Sequence, residues 1–121
     1  MITATPQDTY DHTIGTGALT WPWWRKIETT GVSATGDVAD DWTAEIVADD
    51  GDDGETSRSF GHNAIMATAR RVLAGDGGQY VSDELRRQCR ALIFAADDAD
   101  FDASTGDELL QIVVLGEVIF G

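Results

Sequence analysis

Residues 41–60 read DWTAEIVADDGDDGETSRSF, two runs of strand period around one acidic turn. In the first run Trp42, Ala44, Ile46 and Ala48 fall on one side, and Thr43, Glu45 and Val47 on the other. That alternation is the mark of a half-buried strand. Residues 49–55, DDGDDGE, read as a turn, since Gly51 and Gly54 are able to take positive φ without a Cβ penalty. TSRSF at 56–60 then returns as the second arm of a hairpin.

Working outward, residues 18–30, ALTWPWWRKIETT, carry the Trp, Ile and Thr favoured in strands. Pro22 cannot donate to a ladder, which places this strand at an edge or at a bulge. Alternation sets Trp21 and Trp23 on one face and Trp24 on the other. A three-stranded antiparallel meander follows for the N-terminal half. Residues 1–17, polar and rich in Thr and Gly, read as an irregular N-terminal arm.

Downstream the period changes. Ile65, Ala69, Val72 and Leu73 make one stripe of a helix, with Asn63 as N-cap and Gly75 as the stop. Ser82 caps a second helix whose stripe is Leu85, Cys89, Leu92, Ile93 and Ala96. A third segment opens on Thr105-Gly-Asp-Glu108, spaced as a capping box. From Leu109 onward it is apolar on nearly all sides and belongs in the core. Its β-branched residues leave helix and strand both open. The fold class is α+β: a meander packed against about three helices, in a single domain spanning 1–121.

The chain has 121 residues, 42% of them hydrophobic, with four Trp. It has the bulky side chains that disordered sequences lack. The longest apolar run, 109–120, is too short and too polar to span a membrane, and the N-terminus lacks a secretory pattern. A single cysteine, Cys89, excludes an internal disulfide framework. Lying on an apolar stripe, Cys89 reads as a core residue and not a nucleophile.

Charge sets this chain apart. Twenty-two acidic residues against eight basic ones give −14. Such a surface repels nucleic acid and anionic membranes and favours a protein partner with a basic surface. Nine acids and no base lie between Asp37 and Glu55; six acids and no base lie between Asp97 and Glu108. Five of the seven arginines (Arg70, Arg71, Arg86, Arg87, Arg90) fall on the first two predicted helices. Acidic loops opposite a basic flank would also suit a homo-oligomer held by charge complementarity.

Motifs that carry chemistry fail on inspection. Asp98, Asp100 and Asp102 have the spacing that opens a calcium loop, but Ala103 stands where glycine is needed and Leu109 where a bidentate Glu belongs. GDGG at 75–78 is not followed by the Lys-Ser/Thr of a phosphate loop. No catalytic residue, cofactor site or metal site is assigned, and no enzyme activity is expected.

The candidate partner contacts are Trp21, Trp23, Trp24 and Arg25, with Asp49, Asp50, Asp52, Asp53, Asp98, Asp100 and Asp102. Trp and Arg dominate interaction hot spots, although the tryptophans read equally as core. The sequence points to a non-catalytic acidic interaction domain. The competing reading is a DNA mimic that blocks a nucleic-acid-binding or defence protein, for which carboxylates must line one continuous face.

The segments TWPWWRKI, HNAIMATARRV and FDASTGDELLQIVVLGEVIFG resemble small uncharacterised acidic proteins of actinobacterial phages and mobile elements. The resemblance implies a mobile-element setting, in the cytoplasm of a bacterial host or on a phage particle. It implies no site residues.

Overall fold

Trp42, Ala44, Ile46 and Ala48 are all buried, and the strand that carries them is the middle of the sheet. The computed structural model describes residues 3–121. Strands β1 (Trp24–Val32), β2 (Val38–Asp49) and β3 (Glu55–Gly61) form an antiparallel sheet in the order β1-β2-β3. Four helices accompany it: α1 (Pro6–His12), α2 (His62–Leu73), α3 (Asp83–Phe94) and α4 (Ala103–Leu115). The architecture is α+β, as the change of period along the chain implies.

Cross-strand partners point the same way, so register defines the two sheet faces. Ala44 stands opposite Phe60, and Ile46 opposite Arg58. On this side Phe60 is buried, and Arg58 donates to the carbonyl of Val113 in α4. The other side carries Lys26, Glu28, Thr43, Glu45, Ser57 and Ser59, all exposed. The sheet is therefore packed on one side and wet on the other, as antiparallel sheets allow.

The helix stripes lie largely where periodicity puts them, but Leu73 and Ile93 are half-buried and Ala96, expected on the second helix, is buried in the 3-10 turn after it. Ile65, Ala69 and Val72 of α2 and Leu85, Cys89 and Leu92 of α3 are buried. The C-terminal apolar segment is helical as far as Leu115 and then stops at Gly116, whose φ is +90°. From Leu109 to Val114 every residue is buried, which explains the absence of a polar face.

Local expectations are corrected at several places. The arm expected over 1–17 contains α1, capped by a reciprocal box in which the Thr5 side chain accepts from Asp8 N–H and Asp8 accepts from Thr5 N–H. Pro6 opens the helix where its missing N–H costs nothing. The strand expected over 18–30 begins only at Trp24; Ala18–Thr20 is a 3-10 turn, and Pro22 lies outside the ladder. Trp21 and Trp23 thus precede the strand, and alternation does not govern them.

Two helix starts also move. Gly61, not Asn63, is the N-cap of α2. The capping box of α4 is formed by Asp102 and Thr105, so Thr105 is the third helical residue. Glu108 instead accepts from Ser82 N–H (2.9 Å) and Oγ–H (2.8 Å), tying α4 to the start of α3. On the exposed face of α3, Arg86 pairs with Asp83 (3.3 Å) and Arg87 with Glu84; the i,i+4 spacing of Asp83 and Arg87 is not used.

Candidate functional site: an aromatic stack beside the acidic hairpin

Asp107, one turn into α4, is the one buried acid among the described residues, at 5% exposure. Its Oδ1 accepts from the indole Nε1–H of Trp23 (2.8 Å) and of Trp24 (2.7 Å). Its Oδ2 accepts from Gln111 Nε2 (2.8 Å), one turn further along the same helix. Burial pushes the Asp107 carboxyl above its usual range, and the three donors pull against that by favouring the carboxylate.

Gln111 is fully buried and spends its remaining capacity on the chain end. Nε2 also donates to the Phe120 carbonyl (3.0 Å), while Oε1 accepts from Ile119 N–H and Phe120 N–H (both 2.9 Å). A segment without helix or strand is thus fixed by one amide side chain. The Phe120 ring stacks on Trp23 at 5.1 Å, and Trp23 on Trp21 at 5.8 Å, with interplanar angles of 7° and 9°. Three parallel rings form one wall.

Two adjoining hollows open along this wall. One of about 180 Å³ is lined by Trp21, Trp23, Ser104, Asp107 and Phe120. The other, of about 400 Å³, is bounded by Tyr80, Val118, Ile119 and Phe120; Glu108 and Gly121 border both. Tyr80 is 66% exposed and forms the far rim.

The acidic hairpin reaches the same end of the molecule. Asp49 N–H bonds to the Trp23 carbonyl (2.8 Å), and a Cβ placed on Gly51 would lie 3.3 Å from Ile119 Cδ1. The turn is fixed by its own carboxylates. Asp49 Oδ1 accepts from Gly51 N–H (2.8 Å), and Asp50 Oδ1 from Asp52 N–H (2.8 Å) and Gly54 N–H (3.1 Å). The Gly51 amide, and then the Arg25 guanidinium at 2.8 Å, hold Asp49 below the usual carboxylate range. Asp52 and Asp53 remain exposed.

The candidate contacts therefore divide. Trp21, Trp23, Trp24, Arg25, Asp49, Asp50, Asp52 and Asp53 come together, and the three tryptophans are half-buried, neither core nor free surface. Asp98, Asp100 and Asp102 lie elsewhere, on the segment between α3 and α4, where Phe101 packs against His12. There Asp98 and Asp100 are exposed, and Asp102 serves the helix as its cap. Among the described residues no three of His, Cys, Asp and Glu converge as metal ligands.

The first acidic run is spread along β2, with exposed Glu45 midway. Asp37, Asp40 and Asp41 sit near the start of β2, where Gln7 of α1 bonds to Gly36 and Val38. Eight residue steps separate Asp41 from Asp49, about 26 Å at roughly 3.3 Å per residue.

Asp107, Glu108, Gln111 and Phe120 are not among the contacts expected from sequence, where Glu108 reads only as a capping-box residue. The only signal was the i,i+4 spacing of Asp107 and Gln111 within an otherwise apolar helix, an anomaly in a buried element. Cys89 is buried, and desolvation pushes its thiol up to about 12, so it is held as a neutral core group. No helix of the described residues is long and apolar enough to cross a membrane. Comparison with protein-family models, with curated proteins and with solved structures gives no significant match to this chain.

Proposed function

We propose that this chain is a non-catalytic interaction domain that docks a basic segment of a protein partner. The docking surface is the end where the aromatic stack meets the acidic hairpin. One observation carries the reading: the turn bearing Asp49, Asp50, Asp52 and Asp53 is joined to the aromatic stack's own backbone, Asp49 N–H bonding to the Trp23 carbonyl and Gly51 lying beside Ile119, the residue before Phe120. Aromatic faces, here those of the two outer rings Trp21 and Phe120, and carboxylates are the two groups that hold a guanidinium or ammonium, by cation–π attraction and by charge-assisted hydrogen bonds. The chain's net charge of −14 would steer such a partner over distance.

DNA mimicry has less support. It needs one unbroken acidic face, whereas on the open face of the sheet only Glu45 of β2 links the two ends of that strand, with the cationic Lys26 near it and Asp107 withdrawn into the core.

The test is a titration with an arginine-rich peptide and its glutamate-substituted counterpart, followed by tryptophan emission at low and high salt. The arginine peptide should bind, and its affinity should fall as salt rises. Trp21→Ala should weaken binding by about 1–2 kcal/mol, as hot-spot truncations do. Equal binding of both peptides, or of neither, would refute the proposal.

A further inference from the structure

Strand β1 has a second open feature, independent of the aromatic site. Every residue from Arg25 to Gly31 is exposed, on both faces, although the neighbouring strand β2 is buried on its inner side. Among the described residues no strand pairs with the outer edge of β1. An edge with unpaired backbone groups is a template for another strand.

The direction of those groups follows from the ladder. Asp49 N–H bonds to the Trp23 carbonyl, whereas Asp50 N–H bonds to the Gly54 carbonyl. Odd-numbered residues of β2 therefore aim their backbone at β1, and even-numbered ones at β3, since the pattern alternates along an antiparallel pair. Ile27 stands opposite Ile46 and Thr29 opposite Ala44. Both partners are even-numbered, so Ile27 and Thr29 direct their N–H and C=O groups away from the sheet, into the open edge.

We infer that a second copy of this chain pairs here, β1 against β1 and antiparallel, about a two-fold axis at Ile27. The two Ile27 residues then exchange backbone hydrogen bonds. The flanking pair is non-hydrogen-bonded, the geometry in which side chains approach most closely, and it sets Lys26 of each copy against Glu28 of the other. The strand is self-complementary in charge only in this register. A shift of the axis to residue 28 opposes Glu28 to Glu28, and a shift to residue 26 opposes Lys26 to Lys26.

Both side chains are free to turn outward, at 63% exposure each, although they now pair with one another at 2.9 Å. Ile27, 38% exposed, supplies the apolar contact. A hollow of about 200 Å³ beside it, lined by Leu19, Trp24 and Arg25, gives the partner strand room. β3 offers no equivalent. Its outward backbone belongs to Glu55, Ser57, Ser59 and Gly61, and no two-fold register that uses these groups sets Glu55 against Arg58.

The test is sedimentation equilibrium of wild type, Lys26→Glu, Glu28→Lys and an equimolar mixture of the two variants, with circular dichroism to confirm that each remains folded. Wild type should be dimeric. Each variant alone opposes like charges and should be monomeric, whereas the mixture restores both opposite pairs and should form heterodimers. The double variant Lys26→Glu/Glu28→Lys should dimerise like wild type. A monomeric wild type would overturn the inference and leave Lys26 as a guard against edge pairing; so would single variants that dimerise unchanged, or a mixture that stays monomeric.

Discussion

Asp107 accepts three hydrogen bonds in a place where a carboxylate is costly to desolvate, two from the adjacent tryptophans at the start of β1 and one from the next turn of α4. Removing it would strand two indole N–H groups and one amide. Asp107→Ala should lower stability by about 3 kcal/mol, read from denaturant unfolding, because unsatisfied buried donors lose their water without compensation. A second carboxylate behaves oppositely with pH. Asp102 is held below its usual range, chiefly by the Thr105 backbone N–H, so its contribution is present above about 3.8 and lost as pH falls through its folded value. Asp102→Ala should therefore cost about 1 kcal/mol at neutral pH, as N-cap losses do. That gap to wild type should narrow in acid unfolding experiments. The Asp107 carboxyl, raised by burial, contributes in the reverse sense, its share declining as pH climbs through the raised value.

At the scale of elements, the hairpin shows why its turn was legible and α1 was not. DDGDDGE carries its own closure: positive φ at Gly51 and at Asp53, though not at the expected Gly54, and carboxylates that bond to amides two and four residues on. Asp50→Ala removes two of those bonds and should lower stability by about 1 kcal/mol, seen as a reduced thermal midpoint. The N-terminal helix had its signals in Thr5, Pro6 and Asp8, but it is short and has no apolar stripe. Its anchoring comes from distant groups, as where Trp42 Nε1–H bonds to the Pro6 carbonyl (2.9 Å) and Thr9 meets His62 Nδ1 (3.0 Å). Periodicity cannot report contacts of that range. The long helices, by contrast, carry their burial in their spacing, and Gly75 stops α2 through the amides of Gly75 and Asp76 on the carbonyls of Val72 and Arg71.

Across the whole molecule, sequence located the charge but could not place it. Both acidic stretches are continuous in the chain, yet the sheet spreads the first along the length of β2, with Glu45 between its ends. Helix packing takes Asp107 out of the second and commits Glu108 to Ser82. What remains concentrated is the hairpin tip, and Gln111 brings Phe120 and Ile119 beside it. Residues 49–53, Trp21, Trp23 and Phe120 thus meet at one end through contacts that span most of the chain, which no local pattern encodes. The most direct measurement is a two-dimensional amide and indole NMR titration with an arginine-rich peptide. Shifts should gather on the amides of 50–54 and 119–121 and on the indole signals of Trp21 and Trp23, while the Trp42 indole, bonded inside the core, stays still. Shifts confined to the 97–102 segment or the start of β2, or none at all, would contradict docking at the aromatic wall.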